Sequence, residues 1–211
     1  VVHTLPASPY ATREPLQFGA EIYGHTGLEA DLEILQLALQ SLRTAGLSNF
    51  HVDLSDARIL PALLKGHAIS HELSATISDT LSHKNVSGMR ELGKHLPQPL
   101  AKALQSLVQM YGDISVLAQA RQEFSSWPEV LHALDQLEWL ASHVKHPVSI
   151  DLADLRGFAY YSGPRFSVFV PETSDALARG GRYDEVGAVF GRKRPAAGFS
   201  MDIKALVSLL A

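Results

Sequence analysis

Apolar residues follow two different periods along the chain, and this division is the strongest constraint on its fold. Near both ends, in residues 1–56 and 148–211, apolar residues alternate with other residues, which is typical of half-buried strands. Residues 57–147 instead place apolar side chains at helical spacing and show almost no strand pattern. Strands at both ends with helices between them predict an α+β fold, in which an all-helical insertion interrupts one sheet.

The same two periods locate individual elements. Four strands and two helices are predicted in the outer zones, namely strands at residues 16–23, 50–54, 165–170 and 196–201 and helices at residues 31–45 and 204–210. In the middle zone, apolar residues that recur from Pro99 to Tyr111 predict one helix. A second apolar stripe predicts another helix after Pro128, because proline suits the first turn of a helix.

The composition excludes several classes of protein. The 211 residues include no cysteine, which excludes disulfide scaffolds, thiolate metal sites and cysteine nucleophiles. This fits a reducing cytosol, and we expect a cytoplasmic protein. With 18 Lys and Arg against 22 Asp and Glu, the formal charge of −4 does not favour a nucleic-acid partner. No apolar run approaches the roughly 20 residues that span a bilayer, so we expect no membrane partner.

One face of the first predicted strand combines an amide, a glycine and an acid. A period of two places Gln17, Gly19 and Glu21 on the same face. Because glycine has no side chain, a small ligand could lie against the backbone there, with an ammonium group at Glu21 and a polar atom at Gln17. The alternative is a solvent-exposed polar face with a bulge at Gly19.

Two further segments combine arginine, glycine and tyrosine. Residues 155–163 include Arg156 and a pair of tyrosines, which form either a pocket for an anionic or aromatic group or a packed core. Residues 179–184 place two glycines between two arginines, which indicates either a close approach to a ligand or a hairpin turn. Residues 179–184 match neither the Walker A pattern nor a dinucleotide fingerprint, and we expect no cofactor. His67 and His71 lack a third ligand motif, and we expect no metal site and no catalytic residue.

Together these segments resemble the catalytic core of class II aminoacyl-tRNA synthetases, specifically that of histidyl-tRNA synthetase. Residues 17–24 resemble the strand that ends motif 2, and residues 155–161 resemble the histidine-specific Arg-Gly-x-x-Tyr-Tyr segment. Residues 180–184 and 197–201 resemble the stretch that leads into motif 3. The resemblance implies a mainly antiparallel sheet with flanking helices. It also implies that the motif 1 region, which precedes motif 2 in this family, is missing from the chain as given.

The resemblance implies a complete set of histidine-binding residues. Glu21 would hold the α-ammonium group of histidine, with Gln17 beside it. Tyr161 and Tyr183 would contact the imidazole, and Arg156 would lie near the carboxylate of the amino acid. The core is therefore expected in two parts, residues 1–56 with the motif 2 region and residues 148–211 with the histidine-binding segment and motif 3 region, separated by the helical insertion 57–147.

The nucleotide side of the synthetase pattern is incomplete. In the synthetases, motif 2 supplies an arginine and an acid that clamp ATP, and these positions fall near His3 and Leu5. Motif 3 supplies a second arginine, and Ala205 occupies its position. Because neither His3 nor Ala205 offers a permanent planar cation for a triphosphate, we expect no synthetase activity.

A second family resembles the chain more closely: the regulatory subunits of ATP phosphoribosyltransferase, which look like a histidyl-tRNA synthetase core without its activity. Residues 12–17, 178–187 and 191–202 support this resemblance. It implies a regulatory subunit of the first step of histidine biosynthesis, which binds L-histidine as a feedback signal. Its partners would be the short-form catalytic subunit and a second copy of itself. The alternatives are an active histidyl-tRNA synthetase fragment and a synthetase-like module that binds protein or nucleic acid.

Overall fold

The computed structural model describes residues 14, 16–156, 160–173 and 175–210. The described strands are β1 (Gln17–Tyr23), β2 (His51–Asp56), β3 (Tyr111–Gly112), β4 (Val148–Asp151), β5 (Pro164–Phe169), β6 (Ala178–Arg182) and β7 (Ala196–Asp202). The described α-helices are α1 (Leu28–Thr44), α2 (Ile59–Leu64), α3 (His71–Ser82), α4 (Val86–Gly93), α5 (Gln98–Leu107), α6 (Ser115–Glu123), α7 (Pro128–His143) and α8 (Ile203–Leu210). A short 3-10 helix spans Val186–Phe190. Of the described helices, none is both long and apolar enough to cross a membrane.

The seven strands form one sheet in the order β1-β7-β6-β5-β2-β4-β3. All neighbours in this order are antiparallel except β2 and β4, which run parallel. A parallel pair requires a connection that returns to the same end of the sheet, and helices α2–α7 lie in that connection. The prediction of a mainly antiparallel α+β fold is therefore confirmed.

The elements depart from the sequence-based expectations at three places. Helix α5 ends at Leu107, so the expectation that Tyr111 continues this helix is wrong; Tyr111 pairs with Asp151 in β3 instead. Strands β4 and β6 have no predicted counterpart. The sequence of β6 contains no apolar alternation, and its extended conformation depends on the ladders that it forms with β5 and β7.

The two faces of the sheet differ in composition. One face is apolar: Val52, Leu54, Phe166 and Val168 are buried there beneath α1 and α7. The opposite face, which we call the polar face, presents two rows of directly paired residues. The first row is Glu21, Gly198, Gly181, Arg165 and Ser55, and the second row is Gly19, Ser200, Arg179, Ser167, Asp53 and Ser149.

A buried ion pair joins β6 to the beginning of α1. Arg182 points to the apolar face, where its Nη2 lies 2.5 Å from Asp31 Oδ2. The same guanidinium donates hydrogen bonds to the backbone oxygens of Gly27, at 2.9 Å, and His25, at 3.0 Å. Both side chains of the pair are less than a tenth exposed. These contacts fix the position of β6, and therefore of the polar-face residues that alternate with Arg182, relative to α1.

Candidate functional site

A small cleft lies on the polar face, across strands β1, β7 and β6. It encloses about 100 Å³ and is lined by Glu21, Tyr160, Tyr161, Arg179, Tyr183, Gly198, Phe199 and Ser200. This volume is well below that of the roughly 300–1,000 Å³ sites that hold drug-sized ligands. The cleft therefore suits a small molecule or the head group of a larger one.

Glycine at the centre of β7 makes room for the polar groups of the cleft. Gly198 is the direct partner of Glu21 in the ladder between β1 and β7. A Cβ atom at this position would lie 2.7 Å from the Tyr183 hydroxyl oxygen and 2.9 Å from Glu21 Cγ. Real Cβ contacts are longer, so any side chain at Gly198 would displace both of these groups.

Three tyrosine rings form the aromatic side of the cleft. The rings of Tyr160 and Tyr183 lie 4.8 Å apart and are tilted by 30°, and the ring of Tyr161 stands almost perpendicular to Tyr160 at 5.2 Å. Tyr183 is only 4% exposed, and within the described residues its hydroxyl group has no hydrogen-bond partner. A buried hydroxyl group without a partner costs about 1–3 kcal/mol, and a ligand with a polar atom at this position would remove that cost.

The carboxylate of Glu21 determines the electrostatics of this aromatic side. Its Oε2 accepts a hydrogen bond of 2.6 Å from the Tyr23 hydroxyl, which raises the pKa of Tyr23. Burial raises the pKa of Tyr183 above its usual range, and the Glu21 carboxylate close to its hydroxyl group adds to this effect. Burial and the same charge also raise the pKa of Tyr160. The phenol groups beside Glu21 are therefore neutral hydrogen-bond donors at physiological pH.

Arg179 lies on the opposite side of the cleft from Glu21. The only hydrogen bond that its guanidinium donates within the described residues is a long one, 3.4 Å from Nη1 to the oxygen of Ala176. No carboxylate of the described chain lies within ion-pair distance of it. Burial and the charge of Arg156 lower its pKa, but an arginine remains protonated at physiological pH. The cleft thus has an acidic end and a basic end.

The structure brings together three of the five residues that the sequence assigns to histidine binding: Glu21, Tyr161 and Tyr183 all line the cleft. Gln17 lies on the same face of β1, but it pairs with Asp202 beyond the lining residues. Arg156 lies outside the lining as well, because Asp154 binds it through contacts of 2.8 Å and 3.0 Å. The histidine-binding roles of all five residues stay predictions, whether or not they line the cleft.

Five of the eight lining residues are absent from the sequence-based assignment, and Tyr160 and Arg179 are two of them. Tyr160 precedes Tyr161 in the tyrosine pair, and the sequence does not indicate which of the two rings faces the cleft. Arg179 lies in the Arg-Gly-Gly-Arg segment, whose alternatives were a ligand contact and a hairpin turn. The structure places it in strand β6, where its pairing with Ser200 puts it on the polar face.

A buried charge cluster supports the segment that leads to the tyrosines. Arg165, on β5, pairs with Asp154 and donates a hydrogen bond of 2.7 Å to Ser55 Oγ. Its guanidinium carbon also lies 5.6 Å from the centre of the Tyr161 ring, within the range of a cation–π contact. Burial alone would raise the pKa of Asp154, but the hydrogen bonds from Arg156 and the charge of Arg165 lower it to about 2.

A larger cleft of about 920 Å³ lies between α2 and the beginning of α7. Within the described chain its charged side chains already have partners, since Arg58 binds Asp56 and Lys65 binds Glu129. Among the described residues, no three His, Asp or Glu side chains are grouped closely enough to hold a metal ion. The small cleft is therefore the better candidate for a ligand site, because it contains polar groups without partners.

Of the positions that correspond to the ATP-binding residues of the synthetases, the structure describes only that of Ala205. His3 and Leu5 lie outside the described residues. Ala205 lies in α8 and is exposed, so this position of the helix supplies no cation.

Comparison with known proteins identifies the family. The family model for histidyl-tRNA synthetase matches residues 1–206, so the chain belongs to this family. Within it, the chain is 55% identical over 211 residues to the ATP phosphoribosyltransferase regulatory subunit of Albidiferax ferrireducens. It is 52% identical over 215 residues to that of Variovorax paradoxus. These matches cover the whole chain but 55% and 56% of the relatives, so the chain spans about half of their length.

Solved structures confirm the predicted fold of a class II synthetase core. A regulatory subunit/histidyl-tRNA synthetase from Bacillus halodurans matches with a TM-score of 0.82 and 27% identity, over 96% of this chain and 56% of that chain. A histidyl-tRNA synthetase from Nostoc matches with a TM-score of 0.74 and 18% identity, over 94% and 51% of the two chains. A chain of the ATP phosphoribosyl transferase (HisG:HisZ) complex from Thermotoga maritima matches with a TM-score of 0.69 and 19% identity, over 90% and 66%.

Proposed function

We propose that the protein containing this chain is a non-catalytic regulatory subunit of ATP phosphoribosyltransferase, and that it binds L-histidine in the cleft between β1, β7 and β6. The observation that supports this most directly is the cleft itself. It combines the Glu21 carboxylate with the buried, unpartnered hydroxyl group of Tyr183 in a chain 55% identical to a regulatory subunit.

Each lining group has a role in binding histidine. The α-ammonium group of the ligand donates to the Glu21 carboxylate, which gives a charge-assisted hydrogen bond. The imidazole accepts a hydrogen bond from the Tyr183 hydroxyl and packs against Tyr161. This arrangement supplies the missing partner of Tyr183 and buries an aromatic ring among aromatic side chains.

The absence of synthetase activity follows from the substitution in α8. Formation of an aminoacyl adenylate depends on positioning and charge stabilisation of the triphosphate, to which arginine contributes a planar cation. Ala205 offers no charge at this position. The competing function, an active histidyl-tRNA synthetase core, is favoured by the family match alone. It would require a full-length protein that catalyses histidine-dependent exchange between ATP and pyrophosphate.

Feedback requires that histidine binds one arrangement of the enzyme complex more tightly than another. We place the catalytic short-form subunit as the partner in this complex, together with a second copy of the regulatory subunit. The partner assignment is supported by the similarity to regulatory subunits and by the fold shared with a chain of the Thermotoga maritima complex. A ligand bound in the cleft would contact both β1 and β6. It would therefore favour the arrangement of the enzyme complex in which these two strands hold the positions that binding requires.

The experiment is an assay of phosphoribosyl transfer to ATP by a short-form catalytic subunit, with and without the full-length regulatory protein, at increasing histidine concentration. We expect stimulation by the regulatory protein, and inhibition by histidine only in its presence. Glu21→Ala should weaken histidine inhibition at least tenfold, because a charge-assisted contact contributes roughly 1.5–3 kcal/mol.

The matched control is Glu33→Ala, which removes an exposed carboxylate from α1 and should leave inhibition unchanged. Unchanged inhibition in Glu21→Ala would contradict the assignment of Glu21. No stimulation and no histidine effect, combined with ATP–pyrophosphate exchange, would instead establish the synthetase function.

A further inference from the structure

Glu21 and Arg179 both line the cleft, from strands on the two sides of β7. They lie on β1 and β6, which are separated only by β7, so their backbones are about 10 Å apart across the sheet. Gly198 is the cross-strand partner of Glu21 and Ser200 that of Arg179, which places both side chains on the polar face. Both side chains line the same cleft of about 100 Å³, so a small dipolar ligand in this cleft would lie within reach of both charged groups.

Arg179 differs from three neighbouring arginines, which lie on β5, on β6 and in the segment before β5. Arg156 and Arg165 share Asp154, and Arg182 binds Asp31. The guanidinium of Arg179 has no such carboxylate within the described residues, although it lines the cleft. A guanidinium presents several donors in a planar fork that matches a carboxylate in two parallel hydrogen bonds. Arg179 is therefore free to bind an anionic group of a ligand.

We propose that Arg179, rather than Arg156, binds the α-carboxylate of the ligand, so that the cleft selects amino acids with a free carboxylate over their amides and alcohols. This inference rests on the proposed function, namely that the cleft binds histidine. With the ammonium group at Glu21, the carboxylate of the same amino acid lies toward β6, which is the side of Arg179. Arg156 already uses its Nε and Nη2 donors on Asp154, which leaves less of its planar fork for a ligand than Arg179 offers.

The test is a titration calorimetry experiment on the full-length protein with two ligands, L-histidine and L-histidinamide, which differ only at the carboxylate. The wild-type protein should bind histidine about 10- to 100-fold more tightly than the amide, the range expected for loss of a charge-assisted contact. In Arg179→Gln, histidine affinity should fall until the ratio between the two ligands approaches one, while affinity for the amide changes little. Arg179→Lys should restore part of the ratio.

Arg156→Gln is the matched control, because it removes the neighbouring arginine and should keep the ratio between the two ligands. A ratio that collapses in Arg156→Gln but persists in Arg179→Gln would overturn the proposal and assign the carboxylate to Arg156. A ratio that persists in both variants would exclude both arginines.

If the wild-type protein binds neither ligand, the proposed function itself fails. This result is distinct from a wild-type protein that binds histidine while the ratio in Arg179→Gln stays unchanged, which overturns only the role of Arg179. A thermal unfolding curve for each variant separates loss of binding from loss of folding.

Discussion

Two arginines of β6 lie three residues apart and face opposite sides of the sheet. Arg182, on the apolar face, is buried and bound by Asp31 and by two backbone oxygens of the segment before α1. Arg179, on the polar face, is exposed and binds no carboxylate of the described chain. The same residue type on the same strand thus has a structural role on one face and is available to a ligand on the other.

The comparison extends to the remaining polar groups of the sheet. Groups that hold elements together, such as Asp154 and Arg165, have complete sets of partners. The groups without partners, Arg179 and the Tyr183 hydroxyl, occur together in one cleft. Arg179 is exposed, but the Tyr183 hydroxyl group is buried, and an unpartnered buried polar group costs free energy. The Tyr183 hydroxyl group therefore marks the place where a ligand supplies the missing contact.

The largest effect is expected from Arg182→Met. This change removes the partner of Asp31, which is 5% exposed and whose pKa is already raised by burial. Loss of one member of a buried ion pair typically lowers the free energy of unfolding by about 3–5 kcal/mol. Denaturant-induced unfolding, followed by circular dichroism, measures the change.

Arg179→Met is the matched variant for this prediction. It should change the free energy of unfolding by less than about 0.5 kcal/mol, as expected for an exposed side chain without a partner. If the two substitutions lowered the free energy of unfolding equally, this would contradict the claim that Arg182 stabilises the fold and Arg179 does not.

A smaller loss of stability is expected from Asp154→Asn. The folded-state pKa of Asp154 is about 2, below the model-peptide value of 3.8, because hydrogen bonds from Arg156 and the charge of Arg165 outweigh the effect of burial. A depressed carboxyl pKa stabilises the folded state fully above about pH 4, and this contribution is lost as the pH falls from about 4 to 2. It amounts to about 2 kcal/mol.

The variant should therefore be less stable than the wild type at pH 7 by about that amount, since asparagine keeps an acceptor but no charge. Between pH 4 and pH 2 the difference should shrink as the wild-type carboxyl group becomes protonated. Urea unfolding at a series of pH values measures both features, and a difference that stays constant over this range would contradict the role of the charge.

The smallest effect on stability is expected from Tyr183→Phe. Because the hydroxyl group has no partner within the described residues, its removal should leave the free energy of unfolding unchanged or raise it by up to about 1 kcal/mol. Histidine affinity should nevertheless fall about 3- to 10-fold, because one neutral hydrogen bond is lost. Calorimetry and thermal unfolding of the same preparations measure the two effects. A clear loss of stability without histidine would show that the hydroxyl group has a partner in the free protein.

The sequence predicts the fold best where apolar residues alternate. Strands β1, β5 and β7 and helix α1 lie within a few residues of their predicted positions, since each has one mainly apolar face. Strand β6 could not be predicted in this way. Its five residues are two arginines, two glycines and an alanine, and only the neighbouring strands hold them extended.

The period of two correctly predicts which face of β1 Glu21 occupies, while its histidine-binding role stays a prediction. Arg156 shows a different limit, because its partner Asp154 lies two residues earlier in an Asp-x-Arg sequence. The same sequence occurs at Asp56 and Arg58, and in both places the acid binds the backbone N–H and the guanidinium of the arginine. This repeated pattern was the available signal that Arg156 is already bound.

The pairing of β1 with β7 brings together residues from opposite ends of the described chain. Of the described strands, β1 is at the end of the sheet, where local opening costs least. A ligand that contacts both Glu21 and Arg179 binds only when this pairing is intact. By mass action such a ligand therefore stabilises the pairing of β1 with β7. At a concentration 100 times its Kd, it raises the free energy needed to separate β1 from the sheet by about 2.7 kcal/mol.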